Sequence, residues 1–144
     1  APADEWSGDR GCGVQYFSQQ AVGRLAGPAG IELDPAMPLP EKLVAVQKLM
    51  ARGDERARRI YQTIGVYLGY TVAQYADFYD VRQLLVLGRV TSGPGGEIIL
   101  EEANRVIAAE FPRLTETVEL RTPGEEAKRL GQAVAAASLP RIGE

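Results

Sequence analysis

The sequence predicts an α/β fold that is rich in helix and contains a short parallel β-α-β-α unit. Apolar residues recur at helical spacing through most of residues 13–79. Two short apolar runs, "QLLVLGRV" and "TVELR", then follow, and each leads through a glycine-containing turn into a helical pattern. Strand, helix, strand and helix in this order are typical of a parallel unit.

Composition limits the classes of function. The chain has 144 residues, of which 45% are hydrophobic and 24% charged, which is typical of one globular domain. A net charge of −3 gives no reason to expect binding to nucleic acid or to an anionic membrane surface. No apolar run reaches the roughly 20 residues that span a membrane.

Cysteine and histidine content narrows the chemistry further. A single cysteine, Cys12, forms no intramolecular disulfide, and this favours a cytoplasmic location. The chain has no histidine, so no Ser-His-Asp or Cys-His arrangement can form within it. The sequence therefore contains no catalytic constellation of its own.

We expect one partial domain over 1–144. Residues 1–39 are predicted to be a turn-rich lead-in with one short helix over 13–26. Residues 40–80 are predicted to be helical, and residues 83–138 to form the β-α-β-α unit.

The strongest helical pattern covers residues 54–79. Gly65 and Gly69 lie four residues apart on this helix and predict the close approach of another backbone. We interpret its tyrosines mainly as core residues, with a partner interface as the alternative; they are Tyr61, Tyr67, Tyr70, Tyr75 and Tyr79.

The β-α-β-α unit is predicted as a buried strand over 83–90, a helix over 97–111, a strand over 117–121 and a helix ending near Ala137. Two strands are too few for a self-sufficient parallel sheet. We therefore expect a missing N-terminal half or a homodimer partner to complete it.

The order of these segments resembles the C-terminal portion of the ROK family, which comprises repressors, open reading frames and sugar kinases. The similarity is best in "GDERARRIYQTIGVYLGYTVAQYADFYDVRQLLVLGRVTSG", and "RLGQAVAAA" is similar to the family's closing helix. The resemblance implies part of the second domain of an actin-like ATPase, or ribonuclease H-like, fold.

The opening stretch "WSGDRGCGV" resembles the family's cysteine-rich zinc motif. Ser7 stands where that motif has its second cysteine, whereas Gly8, Gly11 and Cys12 match its turn glycines and its last cysteine. A structural zinc ion needs four protein ligands, and one thiolate does not supply them. We therefore predict that zinc does not bind and that Cys12 is a small packed residue.

The resemblance also bears on the sugar. The family's sugar-binding glutamate corresponds to Val14, whose side chain accepts no hydrogen bond from a hydroxyl group, and Gln15 or Glu5 is the candidate replacement. The family's catalytic aspartate and phosphate-binding loops belong to segments that precede this one. We therefore expect the chain to be catalytically silent alone, while ATP, magnesium and a sugar are the ligands implied for the intact protein.

The remaining candidate site is the surface that the resemblance assigns to adenosine. It consists of the turn after the first strand, Gly88, Arg89, Val90, Thr91, Ser92 and Gly93, and of Thr122 and Gly124 after the second. Ligands of parallel α/β sheets bind at the carboxyl ends of strands, where small residues permit close approach. Sugar kinases of this family have glycine at the position of Arg89, whose side chain either blocks adenine or stacks on it.

The leading hypothesis is therefore the adenosine-facing wall of an ATP and sugar cleft in a ROK-type sugar kinase-like protein. One alternative is half of a sugar-sensing transcriptional regulator, because repressors of the family share this region. The other is a dimerisation module without a small-molecule ligand.

Overall fold

The computed structural model describes residues 3–4 and 7–123. Its helices are α1 (Val14–Phe17), α2 (Gln19–Ala26), α3 (Leu39–Ala51), α4 (Glu55–Ala76) and α5 (Pro94–Glu110), and its strands are β1 (Gln83–Leu85) and β2 (Glu119–Arg121). Two 3-10 helices cover Arg89–Thr91 and Pro112–Glu116. The prediction of a helix-rich α/β chain with a small parallel sheet is confirmed. The helix predicted to end near Ala137 lies outside the described residues.

Ser18 divides the helix predicted over 13–26 into α1 and α2. Its backbone is extended, and its hydroxyl group accepts a hydrogen bond from the Gln20 N–H at 3.1 Å and donates one to the Val14 carbonyl at 2.5 Å. Serine side chains compete with the backbone for such partners, and this favours helix starts over helix interiors. The apolar spacing thus predicted helical structure here, but it did not predict the division into two helices at Ser18.

Helices α4 and α5 pack closely through the two predicted glycines. A Cβ atom on Gly65 would lie 2.7 Å from the Ile99 carbonyl oxygen, and one on Gly69 would lie 3.0 Å from that of Ala103. Both carbonyls belong to α5, so only glycine permits this separation of the two backbones. The prediction of a close backbone approach is confirmed.

β1 and β2 form a two-stranded parallel sheet, in which Leu84 pairs with Leu120. The first strand is shorter than predicted, and it is not buried, because Gln83 and Leu85 are exposed while Leu84 is half-buried. β2 supplies only three residues for pairing, and this limits the length of β1. The continuous apolar run was therefore wrongly interpreted as a strand with two buried faces.

The core lies mainly between α2, α3, α4 and α5. Its largest fully buried side chains are Tyr61, Ile60, Ile64, Ile99, Val22, Val46 and Val72. Burial of each such side chain stabilises the fold by about 1.5–3 kcal/mol before the entropy cost is included. None of the described helices is both long and apolar enough to cross a membrane.

The tyrosine prediction is correct for Tyr61 and wrong for the C-terminal part of the pattern. Tyr61 is fully buried, whereas Tyr70, Tyr75 and Tyr79 are exposed. α4 ends at Ala76, so the helical period that aligned Tyr79 with the apolar face no longer applies. The alternative interpretation, an interface, stays a prediction for these exposed rings.

Candidate functional site

The turn after β1 is a short, internally braced segment. Gly88 and Gly93 have φ values of 125° and 71°, which side chains rarely allow, and the 3-10 helix lies between them. The Thr91 hydroxyl group donates to the Gly88 carbonyl at 2.8 Å, and the Thr91 side chain is buried. These features fix the two ends of the turn relative to one another.

One side of this turn forms a wall of a cavity of about 500 Å³. Its lining residues are Asp4, Val14, Phe17, Ser18, Gln19, Gln20, Leu43, Leu87, Gly88, Arg89 and Val90. The junction of α1 and α2 forms the opposite wall. The structure therefore places three predicted site residues, Gly88, Arg89 and Val90, across the cavity from residues 14–20, which follow the stretch that resembles a zinc motif.

Asp4 organises the loop that leads into this cavity. Its carboxylate accepts hydrogen bonds from the Ser7 N–H at 2.9 Å, the Ser7 hydroxyl group at 3.2 Å and the Gln20 side-chain amide at 3.3 Å. The side chain is buried, and its backbone N–H also donates to the Asp9 carbonyl at 2.8 Å. A carboxylate thus holds together the loop that resembles a zinc motif.

Cys12 is half-buried in the same loop, where its side chain contacts the backbone of Asp9 and the side chain of Ser7. Its Sγ lies 3.7 Å from the Asp9 carbonyl oxygen and 3.5 Å from the Ser7 hydroxyl oxygen. Within the described part of the chain, no three His, Cys, Asp or Glu side chains are grouped to hold a metal ion. The geometry around Cys12 is that of a small side chain packed in a turn.

Arg89 supplies the cation at the rim of the cavity. Its side chain is exposed, whereas its backbone carbonyl accepts a hydrogen bond from the Gln47 side-chain amide at 2.9 Å. The backbone of Arg89 is therefore anchored to α3, while its exposed side chain belongs to the lining of the cavity. Phe17 faces the same cavity from α1 and offers an aromatic surface.

The other side of the turn faces a second, smaller cavity of about 240 Å³. Ser92 and Gly93 line it with Pro94 and Gly95 at the start of α5, Tyr61 of α4, and Gln47, Met50 and Ala51 of α3. The predicted adenosine surface is thus divided between two cavities, and the buried Thr91 lies in the segment that separates them.

The second predicted turn is only partly described. Thr122 follows β2, which ends at the same edge of the sheet as β1, because Leu85 pairs with Arg121. Its side chain is half-buried and lines neither cavity beside the first turn. Gly124 lies outside the described residues.

Sequence reasoning missed the wall that faces the turn. Phe17 and Leu43 were assigned to helical apolar faces, and no motif marks Asp4 or Gln20 as neighbours of Gly88. Ser18 offered a usable signal, since a serine within an apolar helical pattern favours a helix start, and that start turns Gln19 and Gln20 towards the cavity. Gln15, a predicted replacement for the sugar-binding glutamate, is buried and does not line the cavity; Glu5 lies outside the described residues.

A third cavity, of about 600 Å³, lies at the far ends of α4 and α5. Tyr70 and Phe111 line it, and their rings meet edge to face at 5.8 Å. None of the predicted site residues reaches it. Three predicted site residues, Gly88, Arg89 and Val90, line the cavity of about 500 Å³, and two, Ser92 and Gly93, line the smaller one, so the larger cavity is the candidate site.

When the chain is compared with protein-family models, curated proteins and solved structures, nothing matches it.

Proposed function

We propose that the chain is the C-terminal portion of a ROK-type sugar kinase-like protein and that the 500 Å³ cavity is its adenosine-facing surface. One juxtaposition supports this most directly. Val14, at the position that resembles the family's sugar side, and Gly88, in the turn that resembles its adenosine side, line the same cavity. The segment around Val14 and the segment around Gly88, far apart in sequence, thus lie beside one cavity, as expected if a ligand binds between them.

The size and lining of the cavity support a nucleoside as its occupant. Ligand sites usually measure about 300–1,000 Å³ and combine apolar walls with a few polar groups. Here Phe17 and Leu43 provide apolar surface, Gln19 and Gln20 provide amides, and the guanidinium group of Arg89 is positioned at the rim. An adenine ring stacked beneath Arg89 would gain a cation–π contact, and its phosphates would lie near a positive charge.

No reaction is assigned to the chain by itself. The described cavity residues include one aspartate, Asp4, and no glycine-rich loop and lysine of the kind that hold phosphates in phosphoryl transfer. ATP and magnesium therefore belong to the intact protein in this proposal. Asp4 is engaged by Ser7 and Gln20, and we assign it a structural role.

The test is a titration of the isolated chain with ADP, followed by residue-resolved NMR. We expect amide shifts at Gly88, Val90 and Phe17, and a roughly fivefold loss of affinity in Arg89→Ala, the size of one exposed cation–π contact. Arg113→Ala is the matched control, because Arg113 is also exposed but lines the cavity at the far end of α5. Absence of shifts, or equal losses in the two variants, would contradict the assignment.

A second experiment addresses catalytic silence. The isolated chain is incubated with ATP, magnesium and a panel of hexoses, and released ADP is measured. We expect none above the rate without protein. Hexose-dependent ADP release would show that the chain carries its own catalytic groups.

Self-association is the second candidate function, and exposed apolar side chains in and beside β1 favour it. Leu85 and Leu87 are 61% and 60% exposed, and Phe78, between α4 and β1, is 75% exposed. Large apolar surfaces of this kind often mark interfaces. Sedimentation analysis should show a concentration-dependent dimer that Leu85→Lys weakens and Val44→Lys, on the exposed surface of α3, leaves unchanged.

A further inference from the structure

The 600 Å³ cavity at the far ends of α4 and α5 has two aromatic rings in its lining, Tyr70 and Phe111. The ring centroids are 5.8 Å apart and the ring planes are nearly perpendicular, at 89°. Tyr70 is 47% exposed and Phe111 is half-buried, so a solute reaches both residues from the solvent. Two perpendicular rings beside one cavity offer aromatic surface on two sides of a bound group.

The carboxyl-terminal ends of both helices lie at this cavity. The two helices run parallel, because Gly65 and Gly69 of α4 pack against successive turns of α5 in the same order along the chain. Ala76 and Glu110, the last residues of α4 and α5, both line the cavity. The carboxyl-terminal end of a helix carries a partial negative charge, so both helix dipoles favour a cation here.

The helices do not balance this negative charge with side chains of their own. Neither last turn contains a basic residue. The lining instead includes the exposed carboxylates of Asp77 and Glu110, and within the described part of the chain neither forms an ion pair. Among the described lining residues, Arg113 alone is cationic, so the two carboxylates leave an excess of negative charge.

The rest of the lining favours an organic cation over a metal ion. Ala73, Pro112 and Leu114 add apolar surface. Within the described residues, no three His, Cys, Asp or Glu side chains are grouped to hold a metal ion. A methylated ammonium group combines a positive charge with apolar surface, and it binds the faces of aromatic rings through cation–π attraction.

We propose that this cavity binds a small organic cation through a methylated ammonium group. The group packs against Tyr70 and Phe111, while the two helix ends and the carboxylates of Asp77 and Glu110 supply the negative potential that attracts it. The proposal is independent of nucleoside binding in the 500 Å³ cavity and of self-association through β1.

Choline is the probe, and its tert-butyl analogue, in which carbon replaces the charged nitrogen, is the matched control. At constant ionic strength, we expect millimolar choline to shift the amide resonances of Ala73, Asp77 and Phe111 in a saturable manner. The neutral analogue should bind about tenfold more weakly, because it loses two cation–π contacts worth roughly two- to fivefold each. Equal binding of the two compounds would overturn the proposal, as would choline that leaves these amides unmoved.

Tyr70→Leu removes one aromatic wall and keeps an apolar side chain. We expect choline affinity to fall roughly two- to fivefold, whereas Tyr70→Phe, which keeps the ring, should stay within about twofold of the parent. Tyr75→Leu is the matched control, because Tyr75 is 42% exposed on the same helix but does not line the cavity. Equal losses in Tyr70→Leu and Tyr75→Leu would refute the role of the aromatic wall.

Charge variants test the electrostatic part of the proposal. Asp77→Asn should weaken choline binding about twofold, and Arg113→Ala, which removes a positive charge from the lining, should strengthen it by a similar factor. Both effects should shrink as sodium chloride is added. Asp80→Asn, at an exposed residue outside the cavity, should leave choline affinity unchanged. If Asp77→Asn and Arg113→Ala shift the affinity in the same direction, negative potential does not attract the ligand and the proposal is wrong.

Discussion

The carbonyl oxygen of Ile99 lies 2.7 Å from the position that a Cβ atom on Gly65 would occupy. The same position is 2.7 Å from the Glu102 Cβ, so both backbone and side chain of α5 occupy the space that any larger residue needs. The α4–α5 contact at this point thus depends on the absence of a Cβ atom at Gly65, as it does one turn later at Gly69.

Gly65→Ala should therefore destabilise the chain by about 1–3 kcal/mol, because the two helices must separate to admit the methyl group. Urea unfolding followed by circular dichroism measures the change. Gly27→Ala is the control: Gly27 has helical dihedral angles and nothing within 4 Å of its Cβ position, so this substitution should stabilise by about 0.4–1 kcal/mol. Equal effects at the two positions would contradict the packing account.

Asp54 at the start of α4 predicts an acid-dependent loss of stability. The Arg56 side chain, which donates to this carboxylate at 2.7 Å, holds the pKa of Asp54 at about 2, below its ordinary value of 3.8. A pKa lowered by folding gives stability that is present above about pH 4 and is lost as the pH falls towards 2. Asp54→Asn keeps a capping oxygen and should lose this component.

The measurement is urea unfolding of the parent and Asp54→Asn at a series of pH values. The difference between them should be constant from neutral pH to about pH 4 and should shrink towards pH 2. Asp80→Asn is the control, because the Asp80–Arg82 pair is 3.3 Å apart and both side chains are at least 80% exposed. A constant difference down to pH 2 would contradict the role of the Asp54 charge.

Tyr61 predicts a complementary change at high pH. Its pKa is raised by burial from 10 to about 12, and a pKa raised by folding gives stability that is lost as the pH rises between these values. An ultraviolet titration should show one tyrosine ionising near pH 12 in the folded chain. That late component should be absent from Tyr61→Phe, and its persistence there would assign it to another tyrosine.

Asp4→Ala should loosen the opening loop, because Ser7 and Gln20 lose their shared acceptor. The direct measurement is the rate at which Cys12 reacts with a thiol reagent in the folded protein, which we expect to rise. Glu32→Ala changes an exposed carboxylate and should leave the rate unaltered. An unchanged rate in Asp4→Ala would show that the loop does not depend on this carboxylate.

A chelator should leave the unfolding temperature unchanged, because hydrogen bonds to Asp4 hold the loop that resembles a zinc motif. Added zinc should likewise have no stabilising effect. Calorimetry with and without each reagent measures both. A fall in unfolding temperature with the chelator would show that a metal ion contributes to folding, contrary to the sequence prediction.

Local patterns predicted the parts of the fold that local chemistry determines. The four-residue spacing of Gly65 and Gly69 predicted the close contact between α4 and α5. The two apolar runs predicted the parallel strands β1 and β2. The length of β1 was not predictable in this way, since the three-residue partner β2 limits it. Exposure of Phe78 was missed for a related reason: helical periodicity carries no information once the helix has ended.

In the candidate site, too, some features follow from local sequence and others depend on tertiary packing. Gly88 was predicted to lie in the turn after the first strand; its φ of 125° is a feature that the sequence analysis did not predict. That Asp4 and Phe17 lie across a cavity from it depends on how α1 and α2 pack, which no spacing within either segment encodes. Val90 and Ser92 line different cavities with the buried Thr91 between them, in a 3-10 helix that packs on α2 and α5.

The braced turn from Gly88 to Gly93 has a consequence for protein engineering. It separates the two cavities, with Val90 lining one and Ser92 lining the other, and the Thr91 hydroxyl group donates a hydrogen bond to the Gly88 carbonyl within it. The two compartments are therefore geometrically linked. Any redesign that moves this turn to enlarge one cavity must reduce the other, so the two volumes have to be adjusted together.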